Sequence, residues 1–535
     1  MSSPADLVAA VDVGTGSARA GVFDRAGRLL GRAEAPIETR TDAGGQSQQS
    51  SEAIWSACGA ALTDARAEAG AGPARIAGLA FDATCSLVLR DRAGAPLAAG
   101  PHGDDSSDTI AWFDHRACAE AAACTATGHP ALDDLGGAMS PEMQIPKLMW
   151  LKRHLPDTWS RLGTAFDLTD FLAWRATGTP TRSLCTLACK WGYRSHLRPG
   201  WQMDLLDAMD LADLPARAGL PAEGTAPGTD LGPLLPEAAA ALGLAPETRV
   251  ATGLIDAHAG ALGVLGHLAG TPEMAQDLVL VAGTSSCLMA LATERRLVPG
   301  LWGPQLGVIL PGLWLTEGGQ SVSGALLDHL LRLHGEAPTP ELHARVIARI
   351  GALRAGEPDL APRLNVLPDF HGNRSPLADP DALGVISGLP FDASFDGVCR
   401  LYWRTSVALA LGLRHILDTF DAAGFGTRAL HVTGGHVRNP LLMELYADAT
   451  GRTIVEPAAP DAVLLGSAMA AATAARLHPS LEAAARAMHQ GGQRREPRDT
   501  GRYARDWAVF RMMLRHRAEI DEITAPGAQG VAGHD

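Results

Sequence analysis

The sequence predicts an α/β chain built from two large, mutually similar halves, and three observations carry that reading. At 535 residues the chain exceeds one ordinary domain, so two large domains or three smaller ones are expected. Short apolar runs bounded by glycine-rich turns alternate with segments of helical periodicity. An apolar run that ends on Gly14-Thr15 returns 269 positions later as a run ending on Gly283-Thr284. Two Gly-Thr turns in a chain with 59 glycines would also arise by coincidence, and internal similarity is looked for first because it changes the fold reading.

Residues 7–37 read as three short strands, "LVAAVDV", "SARAGVFD" and "LLGRAEAPI", joined by turns. Helical patterns cover 53–69, 144–155, 402–423 and 440–449. Between the halves, 215–249 is rich in Pro, Gly and Ala and reads as surface turns with one short helix. "VATGLIDAHAGALG" then leads into a helix, and the domain boundary is expected near 262. That gives an N-terminal domain over 1–262 and a C-terminal domain over 263–515. Residues 516–535 are the end of an amphipathic helix and a loose tail.

Composition narrows the class. Apolar residues at 46% and charged residues at 19% describe a globular soluble protein. A net charge of −14 without any Lys/Arg cluster argues against nucleic acid and against an anionic membrane surface. Neither a signal peptide nor a membrane-spanning helix is expected. The eight cysteines are scattered. The closest pair, Cys185 and Cys189, lacks the partners of a zinc site or a disulfide framework, so a reducing cytoplasm fits best.

The stretch "AVDVGTGSAR" sets a carboxylate, Asp12, at the mouth of a loop that otherwise suits a phosphate: Gly14, Thr15, Gly16, Ser17, Arg19. Carboxylate and phosphate repel unless a cation lies between them, which points to ATP with Mg²⁺. Gly283-Thr284-Ser285 is the matching hairpin, and two such hairpins could clamp one phosphate chain. Asp256 opens a helical stretch, as an N-cap worth about 1 kcal/mol or as a general base. In "LHVTGGHVRNPLL", Gly434-Gly435 admits close approach of a ligand ahead of a helix N-terminus, and an ordinary strand-to-helix turn would read the same. "TIAWFDHRAC" gathers Trp112, Asp114, His115 and Arg116, a set that suits a polyol or a helix cap beside a core tryptophan. Asp82 interrupts an apolar strand, and a buried carboxylate needs partners. Glu142 is a lesser candidate.

With these motifs in this order the chain resembles the FGGY carbohydrate kinases, from about residue 7 to about 515. "PKLMWLKRH" and "FHGNRSPLADPDALGVISGL" match further. "FDATCSLV", "WFDHRA", "SPEMQIPKLMWL", "RSLCTLACKWGY" and "HGNRSPLADP" resemble the pentulose kinase branch, nearest to D-ribulose and ribitol kinases.

The resemblance implies two actin-like (ribonuclease H-like) domains of the sugar kinase/Hsp70/actin superfamily, with a cleft between them. The N-terminal domain would serve sugar and phosphate, the C-terminal domain the nucleotide. Asp12 would organise Mg²⁺ through its water shell, with Asp256 as the second metal-side carboxylate. Gly14, Thr15, Gly16, Ser17 and Arg19 would meet the phosphates, as would Gly283, Thr284 and Ser285 from the other half. Gly324, Gly434, Gly435 and Asn439 would line the adenosine pocket.

Asp256 would be the catalytic base. Asp82, Ala83, Thr84, Trp112, Asp114 and Glu142 would meet the sugar. The implied reaction is ATP-dependent phosphorylation of the terminal hydroxyl of a pentulose, D-ribulose first, with ribitol, L-ribulose and D-xylulose as alternatives. A catalytically silent sugar- and ATP-binding regulator is the reading from another class. Phe113 stands where this branch is expected to carry Met, which leaves the sugar open. Many relatives are dimers, so a homodimer is the expected assembly.

Overall fold

The computed structural model describes residues 5–100 and 103–524. It divides into two compact units: 1–275 with 289–316 and 457–492, and 276–288 with 317–456 and 493–535. The tail expected to be loose from about 525 lies outside the described residues. The boundary expected at 262 falls inside the helix Asp256–Leu265.

The first unit is organised by a sheet whose strands run, in spatial order, Asp230–Pro233, Arg249–Ala251, Ile76–Ala83, Leu7–Val13, Ser17–Phe23 and Leu29–Pro36. Leu254–Ile255 adds to the free end of Ile76–Ala83. Every residue of Leu7–Val13 is buried, which is why that strand reads as a continuous apolar run rather than an alternation. It pairs antiparallel with Ser17–Phe23 through a tight hairpin and parallel with Ile76–Ala83. The hairpin pattern read over 7–37 is therefore present as three strands. The 215–249 segment departs from its reading as turns and one helix, because Asp230–Pro233 is a sheet strand as well. It sits at the sheet edge, where a terminal proline removes no needed donor.

One face of this sheet is covered by the helix Ser51–Glu68, whose Ile54, Cys58, Ala61, Leu62 and Ala65 are buried in the core with Val11, Val22 and Leu79. The helix Ala462–Ala474, apolar all round, packs beside the same strands. A Cβ built on Gly78 would lie 2.4 Å from the Ala471 carbonyl, so helix and strand touch backbone to backbone there. A second, five-stranded sheet and a core around Leu87, Leu89, Leu148 and Trp191 complete the unit.

In the second unit Asp277–Ala282, Ala429–Thr433 and Thr453–Pro457 pair in parallel. After a turn at 283–285 a further strand begins at Ser286. This strand–turn–strand matches the one that opens the chain. The 28-residue helix Phe395–Ala422 and the helix Ala504–Thr524 complete this unit.

Candidate active site

Three carboxylates converge at the carboxyl ends of adjacent strands of the first unit, and sheet register is what gathers them. Asp12 pairs with Asp82 across the parallel ladder, and Leu254 pairs with Asp82 on its other side. Two residues beyond Leu254 the chain turns into a helix whose first residue is Asp256. On the antiparallel side Asp12 stands opposite Arg19, and their side chains form an ion pair.

Burial sets the electrostatics. It pushes Asp12 up to about 7; Arg19 opposes that rise, and the negative charges of Asp256 and Asp461 add to it. Asp82 is pushed well up by burial and by Asp12, although the Ser467 hydroxyl donates to its Oδ2 at 2.6 Å. Burial raises Asp256 too, against the Ala257 N–H that donates to its Oδ1 at 2.7 Å and the positive influence of His258, Arg19 and Lys190. Asp256 itself remains partly exposed. A carboxylate with raised proton affinity and solvent access at a helix start is suited to accept a proton. Its cap role is limited: Ile255 is the N-cap, and no side chain caps this helix.

Outside the Arg19 ion pair and a side-chain contact between Asp12 and Asp82 themselves, both carboxylate oxygens of Asp12 and Oδ1 of Asp82 have no hydrogen-bond partner among the described residues. Buried oxygens of this kind suit a hard divalent cation. Among the described residues no group of three or more His, Cys, Asp or Glu side chains makes a closed metal cage. Mg²⁺ needs none, because it keeps several waters and takes one or two carboxylates together with phosphate oxygens. The residues present fit the ion on that basis.

The hairpin 14–16 is held by the Gly14 N–H donating to the Ser17 carbonyl at 3.0 Å, and Thr15 and Gly16 are exposed at its tip. Thr15 is reached from the 109–116 segment: the Trp112 indole N–H donates to its hydroxyl at 3.0 Å. Thr84 belongs to the same neighbourhood, its N–H donating to the Val13 carbonyl at 3.0 Å, and Ala83 closes the Ile76–Ala83 strand beside Ile255. Asp114 is buried and fully engaged, accepting from the Ser47 N–H at 2.5 Å and from Arg116 Nε and Nη2 at 2.8 Å each. Those bonds hold it below the ordinary carboxylate range despite its burial. It is a brace for the loop and does not cap the helix Cys118–Ala126, whose N-cap is Ala117. Glu142 lies 3.5 Å from His115.

In the second unit Gly283, Thr284, Ser285, Gly324 and Gly434 are brought together. Gly283 N–H donates to the Ser285 carbonyl at 2.9 Å; the carbonyls of Gly283 and Thr284 accept from the N–H groups of Gly324 and Ser323, both at 2.9 Å. Gly434 has φ +93°, and a Cβ there would stand 2.4 Å from the Ala282 carbonyl, so only glycine fits. Gly435 opens the short turn that follows. Asn439 caps the helix Pro440–Thr450, its side chain accepting from Leu441 N–H at 3.1 Å. The sequence reading missed His436, which bridges the Tyr446 hydroxyl at 2.8 Å and the Gly283 carbonyl at 3.0 Å. It also missed Ser467 on Asp82, and the influence of Lys190 on Asp256.

Comparison with known proteins agrees with this arrangement. Residues 7–263 match the N-terminal domain of the FGGY family of carbohydrate kinases, and residues 278–475 match its C-terminal domain. The chain is 41% identical over 534 residues to a FGGY carbohydrate kinase domain-containing protein of Danio rerio, covering 95% of this chain and 97% of that one. It is 35% identical over 509 residues to a D-ribulokinase of Saccharomyces cerevisiae, covering 87% and 71%. A xylulose kinase structure from Rhodospirillum rubrum superposes with a TM-score of 0.78 at 23% identity, over 96% of this chain and 99% of that one, which shows the shared two-domain fold. The chain belongs to the FGGY family of carbohydrate kinases and is a sugar phosphotransferase.

Proposed function

We propose that this kinase transfers the terminal phosphoryl group of ATP to the terminal hydroxyl of a pentulose, D-ribulose yielding D-ribulose 5-phosphate. The observation that carries the reading is the convergence of Asp12, Asp82 and Asp256 on neighbouring strand ends, with Arg19 as their cation. Identity to a D-ribulokinase supports the choice of sugar.

Asp256 takes the proton of the attacking hydroxyl late, when the new O–P bond makes its loss favourable. Arg19 offsets charge on the transferring group, and the exposed tip of the 14–17 hairpin, Thr15 and Gly16, receives phosphate oxygens. Gly283, Thr284 and Ser285 receive phosphates from the second unit, while Gly324, Gly434, Gly435 and Asn439 line the adenosine site. Trp112, Ala83, Thr84 and Glu142 contact the sugar, with Asp82 beside them and Asp114 behind the loop. Asp12 and Asp256 would hold Mg²⁺, which would supply neutralisation of phosphate charge. On this reading residues 1–262 serve sugar and phosphate, 263–515 serve the nucleotide, and the protein works in the cytoplasm. No described helix is long and apolar enough to cross a membrane.

The test is ADP release from ATP and Mg²⁺ over D-ribulose, L-ribulose, D-xylulose, ribitol, D-arabinitol, erythritol and glycerol. D-ribulose is expected to give the highest kcat/KM, and Asp256→Asn to lower kcat by about 10²–10⁴-fold. Better turnover on another sugar replaces the substrate. Silence on all seven with ATP still bound supports a regulator instead.

A further inference from the structure

Helix Gln144–His154 carries a buried side-chain pair that the proposed chemistry does not use. Gln144 and Lys147 are separated by three positions, so they share one helix face, and both are fully buried. Lys147 Nζ donates to the carbonyls of Ala111 and Trp112, each at 3.0 Å. Gln144 Nε2 donates to the Cys85 carbonyl at 3.0 Å and to Asp167 Oδ1 at 2.9 Å.

A buried ammonium is an expensive way to satisfy two carbonyls, because removing the charge from water costs several kcal/mol unless it is well paired. Burial pushes Lys147 down to about 8. The carboxylates Asp114 and Glu142 and the Cys85 thiol oppose that fall, and Lys190 adds to it. What the ammonium obtains for that cost is a fixed position for one turn. Trp112 is the residue of that turn whose indole N–H reaches Thr15 in the phosphate-side hairpin. Its own N–H is held at 3.2 Å by Ser86 Oγ, which lies 3.4 Å from Thr84 Oγ1. Gln144 fixes the loop that contains Thr84 and Cys85 from behind. One helix face thus holds two loops that converge on Thr15 and Val13.

We propose that Lys147 and Gln144 are positioning residues of the sugar site: Lys147 sets the Trp112 turn and Gln144 the Thr84–Cys85 loop, so that the sugar wall stays in register with the Thr15 hairpin. This rests on the proposed placement of the sugar against Trp112 and Thr84. Neither residue touches the reacting atoms, so the effect falls on sugar binding and not on the chemical step.

The experiment is steady-state kinetics of Lys147→Met, Trp112→Phe and their double variant, each fitted separately for sugar and for ATP. Lys147→Met should raise the sugar KM about tenfold while the ATP KM and kcat stay within about twofold, the signature of lost binding that ground and transition states share equally. In the double variant the rise should match that of the larger single change, because Lys147 acts through Trp112. An unchanged sugar KM, a kcat loss with no KM change, or single effects that multiply would each overturn the assignment. If Lys147→Met lacks a cooperative melt, Gln144→Leu carries the test: a sugar-specific KM rise supports the assignment and an unchanged sugar KM sinks it. Absence of wild-type turnover on every sugar fails the proposed function and this assignment together. Wild-type turnover beside an unaltered variant fails the assignment alone.

Discussion

Gly263 and Gly466 lie against each other where the helices Asp256–Leu265 and Ala462–Ala474 cross. A Cβ on Gly466 would stand 1.9 Å from the Ala259 carbonyl and one on Gly263 2.1 Å from the Ala462 carbonyl. Both obstacles are backbone, so neither can yield by rotating a side chain. The crossing fixes the helix that begins with Asp256 and brings Ser467 to Asp82.

Gly466→Ala is therefore expected to destabilise the first unit by about 1–3 kcal/mol, the usual cost of overpacking. It should also lower kcat, since the helices separate at the point that aims Asp256. Chemical denaturation and kinetics on one preparation check this. A variant that folds normally and keeps full kcat would mean that the crossing does not position Asp256.

This contact also marks where sequence reading stops. Asp12, Arg19 and the 14–17 hairpin were legible because their partners lie within a few residues, and strand alternation puts 12 and 19 opposite each other. Asp82 was legible as a carboxylate in an apolar strand and Asp256 as a helix start. Ser467 was not, since Ala462–Ala474 is apolar all round, carries no facing stripe, and meets Asp82 385 positions away. The Asp230–Pro233 strand was hidden by its Gly-Pro content, which edge strands tolerate and which turn signals share. Lys147 and Gln144 stood inside a quoted motif, but nothing local says which carbonyls they reach.

Ser467→Ala removes the hydroxyl that donates to Asp82 Oδ2. A buried acceptor that loses its donor costs about 1–3 kcal/mol. Asp82→Asn changes the acceptor that the Ser467 hydroxyl reaches, so the two changes should be strongly non-additive. A denaturation double-mutant cycle is expected to give a coupling of about 1 kcal/mol or more; additive effects would show that the bond contributes nothing.

His436 is expected to make the second unit acid-sensitive. Burial pushes its imidazole down to about 4, against the Gly283 carbonyl that favours the protonated form. With the ring neutral, Nε2–H donates to Gly283 and Nδ1 accepts from the Tyr446 hydroxyl. The folded value lies below the unfolded value of about 6.5, so the unfolded chain binds more protons between the two. The contribution is fully present above about 6.5 and is lost as pH falls towards 4, by up to about 3 kcal/mol. Protection factors at the 283–285 turn, with exchange rates corrected for the intrinsic slowing of exchange in acid, should fall over that window in the wild type. In His436→Gln that fall should be absent, and an identical pH profile in the variant would assign the acid sensitivity elsewhere.

Two glycines separate the demands of folding from those of a ligand. A Cβ built on Gly16 or Gly283 would meet no atom within 4 Å, and neither residue has positive φ. Alanine therefore fits the folded chain at both, and each variant should melt within about 0.5 kcal/mol of the wild type, as ordinary surface changes do. If phosphates lie against these backbones, the added methyl occupies their space, and the ATP KM should rise about tenfold or more, equivalent to about 1.4 kcal/mol. Gly434→Ala is the control: its positive φ and the Ala282 carbonyl predict lost stability as well as lost ATP binding. ATP kinetics and melting of all three variants decide the matter. Unchanged ATP KM in both Gly16→Ala and Gly283→Ala would remove the phosphate from these two turns.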